Sequence, residues 1–141
     1  MANRKMQEKI NLKEAVKFHG HLGPYLVLGM LAGNLALRKA GANKHFGLKV
    51  LVYGADKRPK SCLIDGLQLS TGATYGKGNI QKRPGKDIKI IIKNLKSGKE
   101  VVITLNEQLR VKLSALKGHS ESERFAKWLL RSDFRKILEL K

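Results

Sequence analysis

Apolar positions along the chain change their spacing several times, and each change predicts an element. Leu12, Ala15, Val16 and Phe18 fall on one side of a short helix. Asn11 is placed to cap it, with Glu14 as the capping-box partner. That helix stops at His19-Gly20-His21. Pro24 suits the first turn of a second helix, which is expected from about Pro24 to Lys39 with Gly41 as its stop signal. Leu26, Val27, Leu28, Met30, Leu31, Leu35 and Leu37 occupy nearly every azimuth of this helix, so it belongs at the centre of a core or an oligomer interface. Gly29 and Gly33, four apart, mark a face where another backbone comes close.

Leu48 to Tyr53 shows little alternation and predicts a strand buried on both faces. Asp56 to Lys60 is a loop, after which Ser61 is an N-cap for a helix through about Leu69. In that helix Cys62 and Asp65 share a face, and Gly66 leaves the face open to something bulky. A glycine-rich loop from Thr71 to Asn79 follows. Ile88 to Ile92 and Val101 to Leu105 are β-branched strands joined by Asn94-Leu95-Lys96-Ser97-Gly98, a hairpin. Asn106 caps a helix from Glu107 to Leu116, closed by Gly118, and Ser120 with Glu123 makes a capping box for the next helix. Asp133 to Leu140 is expected to be a final helical turn or two. With no repeat or linker, these elements predict a single α+β domain, helices packed on a small mixed sheet, behind an N-terminal tail over residues 1–10.

Composition adds a partner to that picture. The 141 residues are about one domain's worth, and 29 Lys and Arg against 11 Asp and Glu give a net charge of +18. Charge of that size points either to a polyanion such as RNA or to a lysine-rich solvated surface, although the latter normally enriches Glu as well. Lys57, Arg58 and Lys60 precede the Cys62 segment, while Lys82, Arg83, Lys86, Lys89, Lys93, Lys96 and Lys99 gather around the hairpin. A single cysteine excludes an internal disulfide framework and a self-contained zinc finger, and fits a reducing compartment. The run from Leu22 to Leu37 is shorter than the roughly 20 apolar residues of a membrane span and contains three Gly, a Pro and an Asn. The N-terminus lacks the apolar segment of a signal peptide. A cytoplasmic protein without membrane association is therefore expected.

The candidate chemistry lies in three stretches. His19 and His21, with Cys62 and Asp65, are the residue types that hold a metal ion, provided the first turn and the Cys62 helix face each other; two hydrogen-bonded structural histidines are the alternative. His45 and His119 lie in polar loops and are expected to face solvent. Cys62 is either a thiolate stabilised by a helix N-terminus and nearby cations, or a small buried apolar residue. Gly72 to Gly78 is not a phosphate loop, because three residues rather than four separate Gly72 from Gly76 and Gly78 stands where Ser or Thr would hold magnesium. Its backbone N–H groups with Lys77 can still cradle a carboxylate or phosphate, or the glycines simply supply turns.

These stretches together resemble the FmdE family of formylmethanofuran dehydrogenase proteins. The residues that carry the likeness are His19-Gly20-His21 with Gly23-Pro24 and Gly29, then Cys62 with Asp65-Gly66, then Thr71-Gly72, Thr74 and Gly76-Lys77-Gly78-Asn79. The resemblance runs over roughly Leu12 to Leu140. It implies an α+β core, often dimeric, whose cleft is walled by these three motifs and holds zinc or another divalent metal. The family takes its name from an operon for a molybdenum or tungsten enzyme of methanogenesis. Family members commonly carry Cys where this chain has Gly23 and Ala73, so two soft ligands are missing.

Two functions from different classes follow. In the first, a cleft binds a small anionic ligand, with a metal on His19, His21 and Cys62; His21, Cys62 and Asp65 are the catalytic candidates and Thr71, Gly72, Thr74, Gly76 and Lys77 the ligand-binding ones. Asp65 would accept a proton or orient a histidine. In the second, the chain is a catalytically inert basic module that binds RNA, for example on the ribosome, through Lys57, Arg58, Lys60, Lys82, Arg83, Lys86, Lys89 and Lys93.

Overall fold

The uncharged run after Pro24 folds as the buried helix its composition demands. In the computed structural model, which describes residues 12–133 and 137–140, helix α1 covers residues 12–19 and helix α2 spans Pro24–Ala40. Only Leu31, Asn34, Arg38 and Lys39 of α2 escape full burial. Gly41 ends α2 at φ 63°, with its N–H and that of Ala42 bonded to the carbonyls of Arg38 and Leu37 at 3.3 and 3.2 Å. The cap expected from Asn11 lies outside the described residues.

Helix α3, Cys62–Thr71, crosses α2 through glycines on both sides. A Cβ on Gly29 would collide with the Leu63 carbonyl oxygen, and one on Gly66 with the Leu26 carbonyl oxygen. The Ser70 hydroxyl lies against Gly33 and donates to the Gly29 carbonyl at 3.2 Å. The close approach expected at Gly29 and Gly33 is thus met by α3. Gly66 opens its face to the α2 backbone, not to a bulky group. Ser61 sits at the N-terminal boundary of α3 in helical conformation, without a side-chain capping bond, and the helix continues two residues past Leu69.

Five strands, β1 Leu48–Tyr53, β2 Ile80–Arg83, β3 Lys89–Asn94, β4 Glu100–Leu105 and β5 Leu138–Leu140, form one sheet in the order β2-β1-β3-β4-β5. Strands β1 and β2 are parallel and α3 lies between them in sequence, while the remaining pairs are antiparallel. The β3–β4 hairpin forms as expected, with Ile90 opposite Ile103 and Ile92 opposite Val101. Its turn is tied to the end of α2 by Asn94, whose amide donates to the Ala40 carbonyl at 3.0 Å while its oxygen accepts from Lys96 N at 2.9 Å.

Three expectations change. Strand β1 alternates after all: Leu48, Val50 and Val52 are buried, Lys49 is exposed, and Leu51 and Tyr53 are half-buried, as in a sheet with one face on the core. The end of the glycine-rich loop runs into β2, a strand too short and too charged in Gln81-Lys82-Arg83 to show a period. Residues Leu138–Leu140, expected to be helical, pair with β4 as β5, an edge strand whose Leu138 is buried.

Helix α4, Glu107–Ser114, begins at Asn106, whose side chain accepts from Leu109 N at 2.8 Å as its position predicted. Helix α5, Gly118–Arg131, starts earlier than Ser120: the Glu121 carboxylate accepts from Lys117 N at 3.3 Å, and Gly118 at φ 76° opens α5 where it was expected to close α4. Ala126 and Leu129 join the core that α2 centres, so the fold is one α+β unit. Among the described residues, no helix is long and apolar enough to cross a membrane.

Candidate functional site

The chain turns sharply between α1 and α2, and that turn sets the imidazoles. Gly20 takes φ 108°, a conformation that favours glycine, and its N–H closes on the Val16 carbonyl at 2.7 Å. His19 therefore ends α1 while His21 stands across the turn, their ring centroids 4.9 Å apart. The glycine crossing of α2 and α3 brings the first turn of α3 to the same place. Asp65 Oδ2 accepts from His19 Nδ1 at 2.6 Å.

That bond sets the tautomer of a neutral ring. With Nδ1–H held by a carboxylate, a neutral imidazole carries its lone pair on Nε2. His19 Nε2 is buried, and it is the one buried side-chain nitrogen or oxygen among the described residues that has no hydrogen-bond partner. An orphaned buried polar atom is costly unless something occupies it.

A cavity of about 340 Å³ adjoins the two rings. His19, His21 and Cys62 line it, together with Gly23, Tyr25 and Pro59, and its far wall is Leu113, Leu116 and His119 from α4, its following loop and α5. His119 is exposed, as expected, yet its ring meets His21 edge-on, centroids 5.8 Å apart, so a third imidazole borders the same cavity. Nothing in its local sequence marks it, because only the packing of α5 on α2 carries His119 to the cleft.

Electrostatics keep His21 and Cys62 uncharged near neutrality. Burial, then the neighbouring His19 and His21's other neighbour His119, hold the His21 pKa below the usual imidazole value. Burial pushes the Cys62 thiol up, the Asp65 carboxylate adds to this, and Arg58 opposes it. Of the two readings of Cys62, desolvation favours the small apolar one over the stabilised thiolate, and Cys62 is a partly buried free thiol. A neutral imidazole and a protonated thiol repel no incoming cation.

The donor chemistry fits a borderline-soft metal ion, with His19 Nε2 preset and His21 and Cys62 on the same cavity. Among the described residues, however, no group of three or more His, Cys, Asp or Glu is already gathered to hold a metal. A Cβ at Gly23 would lie 3.1 Å from His21 Nε2, so that position faces the His21 ring, whereas Ala73 is buried in the core.

The glycine-rich loop is built differently. The Ala73 N–H is held by Thr71 Oγ1 at 3.1 Å, that of Thr74 by Asn79 Oδ1 at 3.0 Å, that of Tyr75 by Gln68 Oε1 at 3.1 Å and that of Lys77 by Thr74 Oγ1 at 3.2 Å. Lys77 Nζ reaches Thr74 Oγ1 at 3.2 Å, and Gly78 N bonds the Thr74 carbonyl at 3.0 Å. Thr71 Oγ1 also donates to the Leu67 carbonyl at 2.6 Å. Most donors of the proposed anion cradle thus serve the loop itself. Gly72, at φ 77°, caps α3 with the His45 ring directly against it, and His45 is exposed as expected. The loop senses the neighbourhood of the cleft only through charge: the Tyr75 phenol pKa is raised by burial and then by the Asp65 carboxylate.

The basic candidates divide. Arg83, Lys89 and Lys93 stand on the open face of the sheet, whereas Lys82 shares the register row of inward Val52 at the sheet's edge and Lys86 lies in the β2–β3 loop. Lys57, Arg58 and Lys60 belong to the turn before α3, beside the cleft. A larger cavity of about 490 Å³, lined by Tyr53, Lys86, Lys89 and Arg110, contains no imidazole or thiol, and its Arg110 is paired with Asp87 at 3.0 Å. The imidazoles and the thiol instead line the smaller cavity.

Comparison with known proteins identifies the fold and the family. The crystal structure of a tungsten formylmethanofuran dehydrogenase FmdE-like protein from Syntrophus aciditrophicus superposes with a TM-score of 0.68 at 23% identity, over 95% of this chain and 70% of that one, which shows the shared fold. A probable S-adenosyl-L-methionine-binding protein of Archaeoglobus fulgidus is 33% identical over 73 residues, covering 49% of this chain and only 19% of the relative's length. The family model described as FmdE, molybdenum formylmethanofuran dehydrogenase operon, matches residues 18–140, from the residue before the paired imidazoles to the end of β5. The chain belongs to the FmdE family.

Proposed function

We propose that the cleft between the His19-Gly20-His21 turn and α3 binds a divalent transition-metal ion, zinc or a metal of similar ligand preference, and presents it to a small anionic ligand. The observation that carries this reading is His19: its Nδ1 is fixed by Asp65 at 2.6 Å, and its buried Nε2 has no partner. A carboxylate behind a ligating imidazole sets the tautomer and raises its basicity, and few arrangements other than ligation use both ends of the ring in this way. His19, His21 and Cys62 would hold the ion, and His119 is a fourth donor on the same cavity. A bound ion of this type acts as a Lewis acid or lowers the pKa of water.

The chain's own residues have separable tasks. Asp65 orients His19. His21, kept neutral by its surroundings, offers a lone pair at neutral pH, and Cys62 must release its proton on binding, so affinity rises with pH. Tyr25, Pro59, Leu113 and Leu116 wall the cavity and limit water. Arg58 supplies positive charge near the thiol for an anionic ligand. The free thiol suits a reducing cytoplasm, which we assign as the compartment.

Elemental analysis after purification without chelator tests the reading. Near-stoichiometric zinc or another transition metal, reduced in both His19→Ala and Cys62→Ala, is expected. Absence of metal from the wild type after reconstitution, or metal content unchanged in both variants, would reject it.

A further inference from the structure

The cleft leaves the strongest feature of the composition, a net charge of +18, without a role. We propose that the open face of the sheet binds single-stranded nucleic acid, with phosphates on two cationic rows and bases over the apolar row between them. Residues directly opposite in a sheet share a face, so the strand register draws this surface. Arg83, Tyr53 and Lys89 form one row across β2, β1 and β3. Leu51, Ile91 and Val102 form the next, across β1, β3 and β4, and all three are half-buried. Lys49 and Lys93 face each other in the third, which ends at Glu100 opposite Lys93 on β4. The two basic rows are four residues apart along the strands, about 13 Å at ~3.3 Å per residue.

The face is preset for an anion. Like charges placed directly opposite destabilise a sheet, and among the described residues Lys49, Arg83, Lys89 and Lys93 belong to no ion pair. The Arg83 guanidinium is held by Gln81 Oε1 at 2.6 Å, and Lys89 Nζ lies 4.6 Å from the Tyr53 ring centroid. Tyr53 thus offers a ring beside fixed cations, the combination that accepts a base and its phosphate. Glu100 and Glu139, on β4 and β5, bound the basic area on one side. A second copy is a poor occupant, since two such faces repel. A duplex, with its bases stacked inside, would leave the apolar row and Tyr53 without a contact.

The test is fluorescence anisotropy of a short labelled oligouridylate titrated with the whole protein at several salt concentrations. Four cations at about 0.7 counterions per phosphate predict a log–log salt slope of about −3. Lys49→Ala with Lys93→Ala should weaken binding at least about tenfold and roughly halve the slope. Tyr53→Ala should weaken it about tenfold with the slope kept. Lys127→Ala with Arg131→Ala, on exposed positions of α5, should change affinity less than about twofold. Circular dichroism confirms that each variant is folded. No measurable binding, equal losses from the sheet and α5 variants, or tighter binding to anionic phosphatidylserine vesicles or a duplex than to the oligouridylate would overturn the proposal.

Discussion

The His19-Gly20-His21 turn and the Thr71-Asn79 loop carry the same family likeness, yet they treat their polar atoms in opposite ways. In the loop, Thr71, Thr74, Gln68 and Asn79 side chains satisfy the neighbouring N–H groups, and Asn79 Nδ2 reaches the His45 and Leu48 carbonyls at 2.7 and 3.2 Å. In the turn, Asp65 fixes one nitrogen of His19 and leaves the other buried and bare. On the proposed reading the difference separates scaffold from site: a polar motif that closes on itself builds the fold, and one left open inside the protein is placed to take a partner.

The sharpest way to break the comparison is to separate α2 from α3, on which both regions depend. Gly29→Ala drives a Cβ into the Leu63 carbonyl oxygen, backbone that cannot step aside. It should lower unfolding free energy by about 3 kcal/mol, at the upper end for overpacking, in urea titrations. Next comes Asp65→Ala, which should lower metal affinity by about tenfold to a hundredfold by freeing the His19 ring, with a much smaller change in the urea midpoint. Equal loss of stability and affinity would reduce Asp65 to a packing residue.

Asn79→Ala should act in the opposite sense. Removing a side chain that ties Thr74 N, His45 O and Leu48 O should cost about 1–3 kcal/mol of stability while metal affinity stays within about twofold. A matching loss of metal would move the loop into the site. The smallest effect concerns pH. His21 has a depressed pKa in the folded chain and the ordinary 6.5 when unfolded, so the unfolded state binds more protons between those values. Stability should therefore fall as pH drops below about 6.5 through that window, and the slope should shrink in His21→Asn.

Much of the fold was legible because its signals are local. Pro24 and Gly41 bracket α2, Asn106 caps α4, and the Ile and Val runs mark the hairpin. Where expectation failed, a tertiary contact decided. Leu138 joins β4 because that edge is free, a fact no neighbouring residue encodes. Gly66 serves the α2 crossing, which its own helix does not reveal. The pairing of Cys62 and Asp65 on one helix face was readable from spacing, but His119 reaches the cleft through α5 packing alone. Gly23 shows both aspects: its helix-leading position was readable from Pro24, but that it faces the His21 ring was not.

The most direct test of the central claim is a cobalt(II) titration followed by absorption spectroscopy. The account predicts saturable visible bands of a nitrogen-ligated ion with a near-ultraviolet thiolate charge-transfer band, the latter lost in Cys62→Ser and the whole spectrum weakened in His19→Ala. A spectrum indistinguishable from aqueous cobalt(II), or one that neither substitution changes, would contradict it.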